Sequence, residues 1–257
     1  MWDALIIRPF INVVLIIYNL VGNFGVAIIL FTILIRLITH PLMARQIKSA
    51  KAMQELQNNK KWQAIQKKYE NDKEKLAQEQ MKLYRELGVS PFSSCLPTLI
   101  QFPIIIGLYQ SIIRTLASTP IELLNMLKQL YPGLFNVAEL IPLNSSFLWM
   151  ELGQPERLNL DFLPFGIPVL TIVVVTTTFL QSRLMQGNTA SDGNDQAAAM
   201  ARSMNLTMPV MMGFMAYQLA SGLALYFVTS NLVGILQYTF LGRLDWKNLF
   251  SRDPEKK

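Results

Sequence analysis

Long stretches without charged residues dominate the sequence and predict helices that cross a membrane. Four of them occupy residues 9–35, 87–113, 162–182 and 203–242, with lengths of 27, 27, 21 and 40 residues. A helix needs about 20 apolar residues to cross the hydrocarbon core. The fourth stretch is long enough for two crossings, and Ala220-Ser221-Gly222 interrupts it. The pattern therefore predicts an all-α polytopic membrane protein with a five-helix transmembrane core.

The predicted spans alternate with polar segments. We place the spans at 22–42, 91–117, 162–184 and, for the fourth and fifth together, 204–242. In the third span, Pro164 and Pro168 are expected in the first helical turns, where a missing N–H costs least. A long connection, a loop and a short tail make up the rest of this half of the chain, at 118–161, 185–203 and 243–257.

The N-terminal segment, residues 1–21, is apolar but carries Arg8, Pro9 and two asparagines among its large side chains. That mixture is typical of a helix lying at the membrane interface, with a sixth span as the alternative. Met1-Trp2-Asp3 lacks the basic start of a secretory signal, so we expect no removed signal peptide.

The segment at 43–90 differs in kind, because it holds 11 Lys/Arg and 6 Asp/Glu residues and no apolar run that could span. Apolar residues recur in it at helical spacing. Asn58-Asn59 and Asn71-Asp72 indicate two breaks, and Gly88 is expected to end the last helix. We therefore predict a helical hairpin standing in water, with one long solvated helix as the simpler alternative.

Charge sets the class of protein and its topology. Only 16% of the residues are charged, against about 25% in a soluble domain, which argues against a water-soluble enzyme. Of the 23 Lys/Arg residues, 18 lie on one side and four on the other when 43–90 is placed in the cytoplasm, and Arg36 remains in the membrane. The positive-inside rule then puts 118–161 and the N-terminus outside, and 185–203 and the C-terminus in the cytoplasm.

The sequence offers few residues that could bind a metal ion or a nucleotide. One cysteine, Cys95, and one histidine, His40, leave no ligand set for a structural zinc site and no disulfide framework. The chain also has no phosphate-binding loop of the Walker A type. We therefore expect neither a metal nor another cofactor.

Arg36 stands inside the first predicted span, where an arginine costs about 2.5–3.5 kcal/mol on insertion scales. Snorkelling to the cytoplasmic interface is one explanation, because the span ends about six residues later. Thr32 lies one turn away on the same face, and no Asp or Glu occurs in any predicted span. A cation without a counter-ion should face water, which indicates a wet cavity open to the cytoplasm.

Other predicted spans supply polar and flexible side chains. The polar ones are Gln101, Tyr109, Gln110, Gln181, Gln218, Tyr226, Thr229, Ser230, Asn231 and Gln237. Taken singly, each is more often an interhelical hydrogen bond than a functional group. One face of the fourth span is made of Met204, Met208, Met211 and Met215. Ordinary packing is the default for such a face, but thioethers also suit a promiscuous apolar binder.

Four stretches carry a family resemblance. They are GNFGVAIILFTILIRLITHPL (22–42), KLYRELGVSPFSSCLPTLIQFPIIIGLY (82–109), SFLWMEL (146–152) and SGLALYFVTSNLVGILQ (221–237). In this order and spacing they resemble the YidC family of membrane protein insertases, which has relatives in mitochondria and chloroplasts. The resemblance covers most of the chain, from about residue 20 to 242.

The resemblance implies a multi-pass protein of the bacterial cell (inner) membrane with a hydrophilic groove that opens to the cytoplasm and is closed outside. Arg36 matches the family's groove arginine, which transiently holds hydrophilic parts of an entering protein. Thr32 and Tyr226 should line or border the groove, with Gln101 and Asn231 as neighbours. The hairpin at 43–90 matches mobile cytoplasmic helices thought to receive the substrate or its targeting partner.

The implied function is an insertase and not a bond-making enzyme. Its expected partners are newly made membrane proteins and the lipid bilayer, with the Sec translocon, the ribosome and the targeting-receptor machinery as further candidates and no specific nucleic acid. Apolar segments would leave sideways along spans three and four, driven by burial of their own surface. A small-solute transporter or channel is the competing class, because an intramembrane cation fits it too. The spans show no inverted repeat and no acidic residue for ion coupling, which counts against that class.

The charge asymmetry makes a topological prediction. Lys61 in the basic hairpin and Lys128 in the long connection should lie on opposite sides of the membrane. Reporter fusions or cysteine accessibility at the two positions would check this, and finding both on one side would contradict the five-span topology.

Overall fold

The apolar stretches of the sequence fold into helices. The computed structural model describes residues 1–57, 59–69, 72–86, 96–116, 119–134, 143–158, 166–185 and 196–240. Within these ranges a π-helical turn (Asp3–Ile7) leads into nine α-helices: α1 (Arg8–Val21), α2 (Phe24–Gln57), α3 (Lys60–Lys68), α4 (Lys73–Glu86), α5 (Leu96–Thr115), α6 (Pro120–Gln129), α7 (Val169–Met185), α8 (Gln196–Gln218) and α9 (Ser221–Phe240). Two short antiparallel strands, β1 (Ser146–Phe147) and β2 (Met150–Glu151), form a hairpin between α6 and α7.

Three helical segments among the described residues are long and apolar enough to cross a membrane. They are Asp3–Val21, Phe24–Ala44 and Ser221–Phe240, with mean hydropathies of 2.0, 2.1 and 1.3. Val169–Leu184 is a shorter apolar helix. The predicted all-α membrane class is confirmed, whereas the number of spans stays a prediction.

Helix α9 lies at the centre of the apolar helices. In the most apolar stretch of α9, 61% is buried, against 22% in that of α2. Helix α9 contacts α2, α5, α7 and α8. Two glycines allow close neighbours. A Cβ on Gly222 would lie 3.1 Å from the carbonyl oxygen of Leu152, and one on Gly234 would lie 2.6 Å from Nε2 of Gln181. The position of α9 places its side chains between α2 on one side and α7 on the other.

Helix α1 keeps to one end of this bundle. Trp2 Nε1 donates to Gln110 Oε1 at 3.3 Å, and Asp3 pairs with Arg114 at 2.7 Å, so the π-helical turn that leads into α1 starts beside the last turns of α5. Helix α1 ends one short turn before α2 begins. The C-terminal part of α5 and the N-terminal part of α2 lie together, because side-chain atoms of Ile112 and Ile28 are both 3.2 Å from the position that a Cβ on Gly222 would take. Both ends of α1 therefore lie at the same end of the bundle.

Helix α2 does not end where the first span was predicted to end, at residue 42, because it continues through Pro41 to Gln57. The two predicted breaks follow. Asn59 caps α3 by accepting the Lys61 N–H at 2.9 Å, and Asp72 accepts the Lys75 N–H at 3.1 Å at the start of α4. The single solvated helix is thus not what the chain forms in the described part of 43–90.

Helices α3 and α4 form a small apolar core of their own. Trp62 and Leu83 are buried in it, and Ile65 and Tyr84 pack against them. The ring centroids of Trp62 and Tyr84 lie 5.3 Å apart. Burial raises the pKa of the Tyr84 phenol above its ordinary value. The apolar contact between these two helices therefore rests on one aromatic pair, a leucine and an isoleucine.

Helix α7 begins seven residues after the predicted start of the third span, residue 162. Helix α7 starts at Val169, so Pro168 precedes the helix and does not lie in its first turn. Ile167 instead exchanges both backbone hydrogen bonds with Leu158, each at 2.9 Å. The buried carboxylate of Glu156 accepts the N–H of Leu170 at 3.0 Å, which satisfies one of the free donors at the start of α7.

Several predictions fall on residues outside the described ranges. These are the helix end at Gly88, the role of Pro164, the loop residues 186–195, Cys95 and the tail at 243–257.

Replacing Gly25 by alanine should destabilise the contact between α2 and the β-hairpin. The added Cβ would lie 2.3–2.7 Å from three atoms of the Phe147 side chain. Overpacking of this kind costs about 1–3 kcal/mol, so the thermal unfolding midpoint in detergent should fall. Gly153→Ala is the matched control, because its Cβ would meet Leu116 at an ordinary 3.6 Å. Equal midpoints for the two variants would contradict the close contact at Gly25.

Replacing Trp62 by alanine should open the α3–α4 pair alone. Loss of a buried tryptophan costs about 3–5 kcal/mol, more than so small a core is expected to tolerate. Hydrogen exchange in 60–69 and 72–86 should accelerate, while exchange in α2 and α9 stays unchanged. Lys67→Ala, on the exposed surface of α3, serves as the control. A uniform acceleration across the chain would contradict the independence of this core.

Candidate functional site

Arg36 reaches from α2 to α9. Its side chain is half-buried, and its guanidinium donates two hydrogen bonds to the hydroxyl of Ser230, from Nε at 2.8 Å and from Nη2. The hydrogen-bond partner of Arg36 is on α9 because α2 and α9 pack directly against each other. The Arg36 side chain therefore points towards α9, inside the helix bundle, and not out of the bundle.

The polar contacts continue from Ser230 to a third helix. Tyr226 is 2% exposed, and its phenol lies against the Ser230 hydroxyl one turn away on α9. Gln101 of α5 donates its amide Nε2 to the same phenol oxygen. We call Arg36, Gln101, Tyr226 and Ser230 the Arg36 cluster. It links α2, α5 and α9 through side chains alone.

The charge of the Arg36 cluster is not balanced by a carboxylate. The ion pairs among the described residues are Lys75–Asp72, Lys82–Glu79 and Arg114–Asp3, and none of them includes Arg36. Arginine stays protonated in proteins, and a serine hydroxyl is neutral. The cluster therefore presents a positive charge whose neighbours solvate it without cancelling it.

Two other residues predicted to line the groove make their hydrogen bonds outside the Arg36 cluster. Thr32 is fully buried, and its hydroxyl donates to the Ile28 carbonyl of its own helix at 2.6 Å. Asn231 donates to the hydroxyls of Thr177 and Thr178 on α7, at 3.1 and 2.8 Å. Asn231 thus joins α9 to α7, on a different face from the Arg36 cluster.

Ser230 and Gln237 belong with Arg36, although the sequence only grouped them with the general polar lining. Gln237 Nε2 donates to the backbone carbonyl of Arg36 at 3.0 Å. Tyr226, Ser230 and Gln237 recur at i, i+4 and i+11, which places all three on one face of a helix. That spacing is the signal that could have selected them, whereas Asn231 falls about 100° away around the helix.

Other polar candidates make contacts outside the Arg36 cluster. Gln110 accepts from Trp2 near the end of α5, Thr229 donates to the Leu225 carbonyl of its own helix, and Gln181 lies against Gly234. Within the described ranges, no three His, Cys, Asp or Glu side chains come together as a metal site would require. The chemistry available at the Arg36 cluster is therefore hydrogen bonding and attraction of negative charge.

The methionine face of α8 is partly exposed. Met211 is 46% exposed, whereas Met208 and Met215 are half-buried and Met215 packs against the core. The side chain of Met204 lies outside the described part of the structure. Among the side chains of α8 that the structure describes, the most exposed apolar ones are Val210 and Phe214, at 60% and 64%. Together they make an apolar surface adjoining that of α7, which α8 contacts closely at Gly213 and Val175.

The chain matches the family model described as 60Kd inner membrane protein over residues 16–247. A protein of Oceanobacillus iheyensis named Membrane protein insertase YidC is 36% identical over 251 residues, covering 94% of this chain and 84% of that protein. A protein of Bacillus subtilis named Membrane protein insertase MisCA is 36% identical over 245 residues, covering 93% of this chain and 78% of that protein.

A solved structure shares the fold. It is described as "Active YidC insertase crystal structure with the first transmembrane domain resolved", with a TM-score of 0.56 and 27% sequence identity. The match covers 90% of this chain and 45% of that one, so this chain spans about half the length of that solved relative. The family model and both relatives match nearly the whole of this chain. The chain therefore belongs to the 60Kd inner membrane protein family, which is the family of the YidC insertases.

Proposed function

We propose that this chain, a YidC-family membrane protein insertase, captures a short hydrophilic segment at the Arg36 cluster and releases the adjoining apolar segment into the bilayer. The observation that carries the proposal is a half-buried arginine, held by a serine hydroxyl and included in none of the ion pairs among the described residues. Such a group can attract an acidic or polar guest without first giving up a salt bridge.

The strength of this attraction suits transient capture. Two unit charges about 4 Å apart interact by about 4 kcal/mol at an effective dielectric of about 20, before desolvation is subtracted. Water in a cytoplasm-open groove would screen part of this energy and allow release. The hydroxyls of Ser230 and Tyr226 would keep the guanidinium solvated between guests.

Release sideways is supported by the apolar surfaces of α7 and α8. Exposed large side chains on the two helices are Ile172, Val173, Phe179, Val210, Met211 and Phe214. An apolar segment sliding along them would bury its own surface at about 25 cal/mol per Å². This driving force needs no nucleotide.

The cytoplasmic side is assigned to the basic hairpin of residues 43–90. Among the side chains of α3 and α4 that the structure describes, the exposed cations are Lys61, Lys67, Lys68, Lys75, Lys82 and Arg85. Such a surface suits an acidic partner, and the ribosome, the Sec translocon and targeting receptors remain candidates. The positive-inside rule then places the N-terminus outside and the C-terminus in the cytoplasm, in a multi-pass protein of the bacterial inner membrane.

Helix α1 is assigned to the outer interface. Both of its ends lie at one end of the bundle, beside the C-terminal part of α5 and the N-terminal part of α2. A helix that crossed the membrane would place its two ends at opposite ends of the bundle. The contacts of α1 therefore favour the interfacial helix over a sixth span.

A small-solute transporter is not favoured. The relatives described above carry insertase names. The polar contacts of the described residues lead from Arg36 to hydroxyls and amides, with no acidic group that could couple transport to H⁺ or Na⁺.

The charge of Arg36 should matter more than the shape of its guanidinium. Arg36→Ala should lower insertion of a substrate with an acidic outer segment by about tenfold or more, whereas Arg36→Lys keeps most of the activity. A paired substrate with an uncharged outer segment should suffer less, because groove water and the apolar surface remain. Insertion into vesicles holding the purified protein, without nucleotide, measures all combinations. If both substrates fell equally in Arg36→Ala, or neither fell, Arg36 would be a structural or snorkelling residue.

A further inference from the structure

Helix α9 contacts Arg36 at two places. Ser230 accepts from its guanidinium, and Gln237 donates Nε2 to its backbone carbonyl at 3.0 Å. Ser230 and Gln237 are seven residues apart, which is two helical turns, so both project from one face. The same face of α9 thus engages the side chain and the main chain of this arginine.

The main-chain contact falls where α2 is intrinsically weak. Pro41 lies inside α2, has no N–H to donate, and its ring crowds the carbonyl of Leu37, four residues earlier. The turn that follows Arg36 is therefore less restrained than an ordinary helical turn. The Thr39 hydroxyl bonds chiefly to Ile35 at 2.8 Å and approaches the Arg36 carbonyl only at 3.4 Å. Gln237 supplies the closer side-chain donor to that carbonyl.

The buried amide of Gln237 is also expected to lower the stability of the folded protein. It is 8% exposed, and its Oε1 is buried without a hydrogen-bond partner in the described structure. Flipping the amide would not help, because Oε1 would then face the Arg36 carbonyl oxygen. A buried acceptor without a donor destabilises a fold, whereas an apolar side chain of similar length would avoid that penalty. A destabilising polar residue at such a place is typical of a functional requirement.

We propose that Gln237 is a positioning residue, which holds the Arg36 turn of α2 against α9 so that the guanidinium stays at Ser230. The inference rests on the proposed function, in which Arg36 captures the hydrophilic segment. Gln237 itself acts on the guest only through the position of Arg36. Its loss should therefore matter for those guests that depend on Arg36.

The test uses Gln237→Met, which keeps the side-chain length but removes both the donor and the unpaired acceptor. In vesicles holding the full chain, insertion of the acidic-segment substrate should fall about two- to tenfold, the range that one hydrogen bond corresponds to. The uncharged-segment substrate should change less, and Gln237→Met should add nothing in an Arg36→Ala background. The thermal unfolding midpoint should stay unchanged or rise.

Thr239→Val is the matched control on the same helix, because Thr239 is exposed and its hydroxyl donates only within α9, to Ile235 at 2.9 Å. It should leave insertion of both substrates unchanged. An equal loss for both substrates in Gln237→Met, a further loss in Arg36→Ala, or a lowered midpoint would overturn the positioning role. No loss for the acidic-segment substrate in Gln237→Met, where Arg36→Ala does lower its insertion, would overturn it as well.

A readout without substrate separates this inference from the proposed function. Backbone amides of residues 37–44 should exchange faster in Gln237→Met than in the unchanged protein, because the Arg36 turn loses its brace. If exchange rises while Arg36→Ala inserts both substrates normally, the proposed function fails and the positioning role stands. Unchanged exchange overturns the positioning role whatever the insertion assay shows.

Discussion

A permanent charge inside a membrane helix is the constraint on which the rest of the structure depends. Arg36 cannot lose its proton, and carrying it into a span costs about 2.5–3.5 kcal/mol unless polar groups or water receive it. The chain meets this requirement with neutral groups, through the Ser230 hydroxyl and the adjoining Tyr226 and Gln101. Neutral partners keep the cation solvated without cancelling its charge, and the proposed function depends on that remaining charge.

The placement of α9 follows from that requirement. One face of the helix serves α2 through Ser230 and Gln237, while Asn231 serves α7 through Thr177 and Thr178. The helix must therefore lie between both neighbours at hydrogen-bonding distance. Gly234 allows this on the α7 side, because Gln181 occupies the space that a Cβ would need. The polar groups of one apolar helix are thus divided between a candidate site and a structural joint.

Part of the candidate site could be predicted from the sequence. Arg36 was recognisable as a cation in an apolar run, and Tyr226 and Gln101 do meet beside it. Thr32 lies on the expected face, but its hydroxyl is taken by its own helix, as often happens for threonine in an apolar environment. Gln237 was visible as a polar residue without any sign that it would reach the Arg36 main chain. A helical period tells which residues share a face, and it does not tell which helix that face meets.

The sequence by itself determined the helical membrane class, the division of the last apolar run near Ala220, and the breaks at Asn59 and Asp72, because run length, capping side chains and charge act locally. Only the tertiary structure showed that α2 continues through Pro41. It also showed that α7 begins only at Val169, after Ile167 has paired with Leu158. It also decided that Ser230 and Gln237 form hydrogen bonds with Arg36, whereas Asn231 bonds to α7. Those outcomes depend on distances of about 3 Å between helices far apart in sequence, and such distances are set by packing and not by any local pattern.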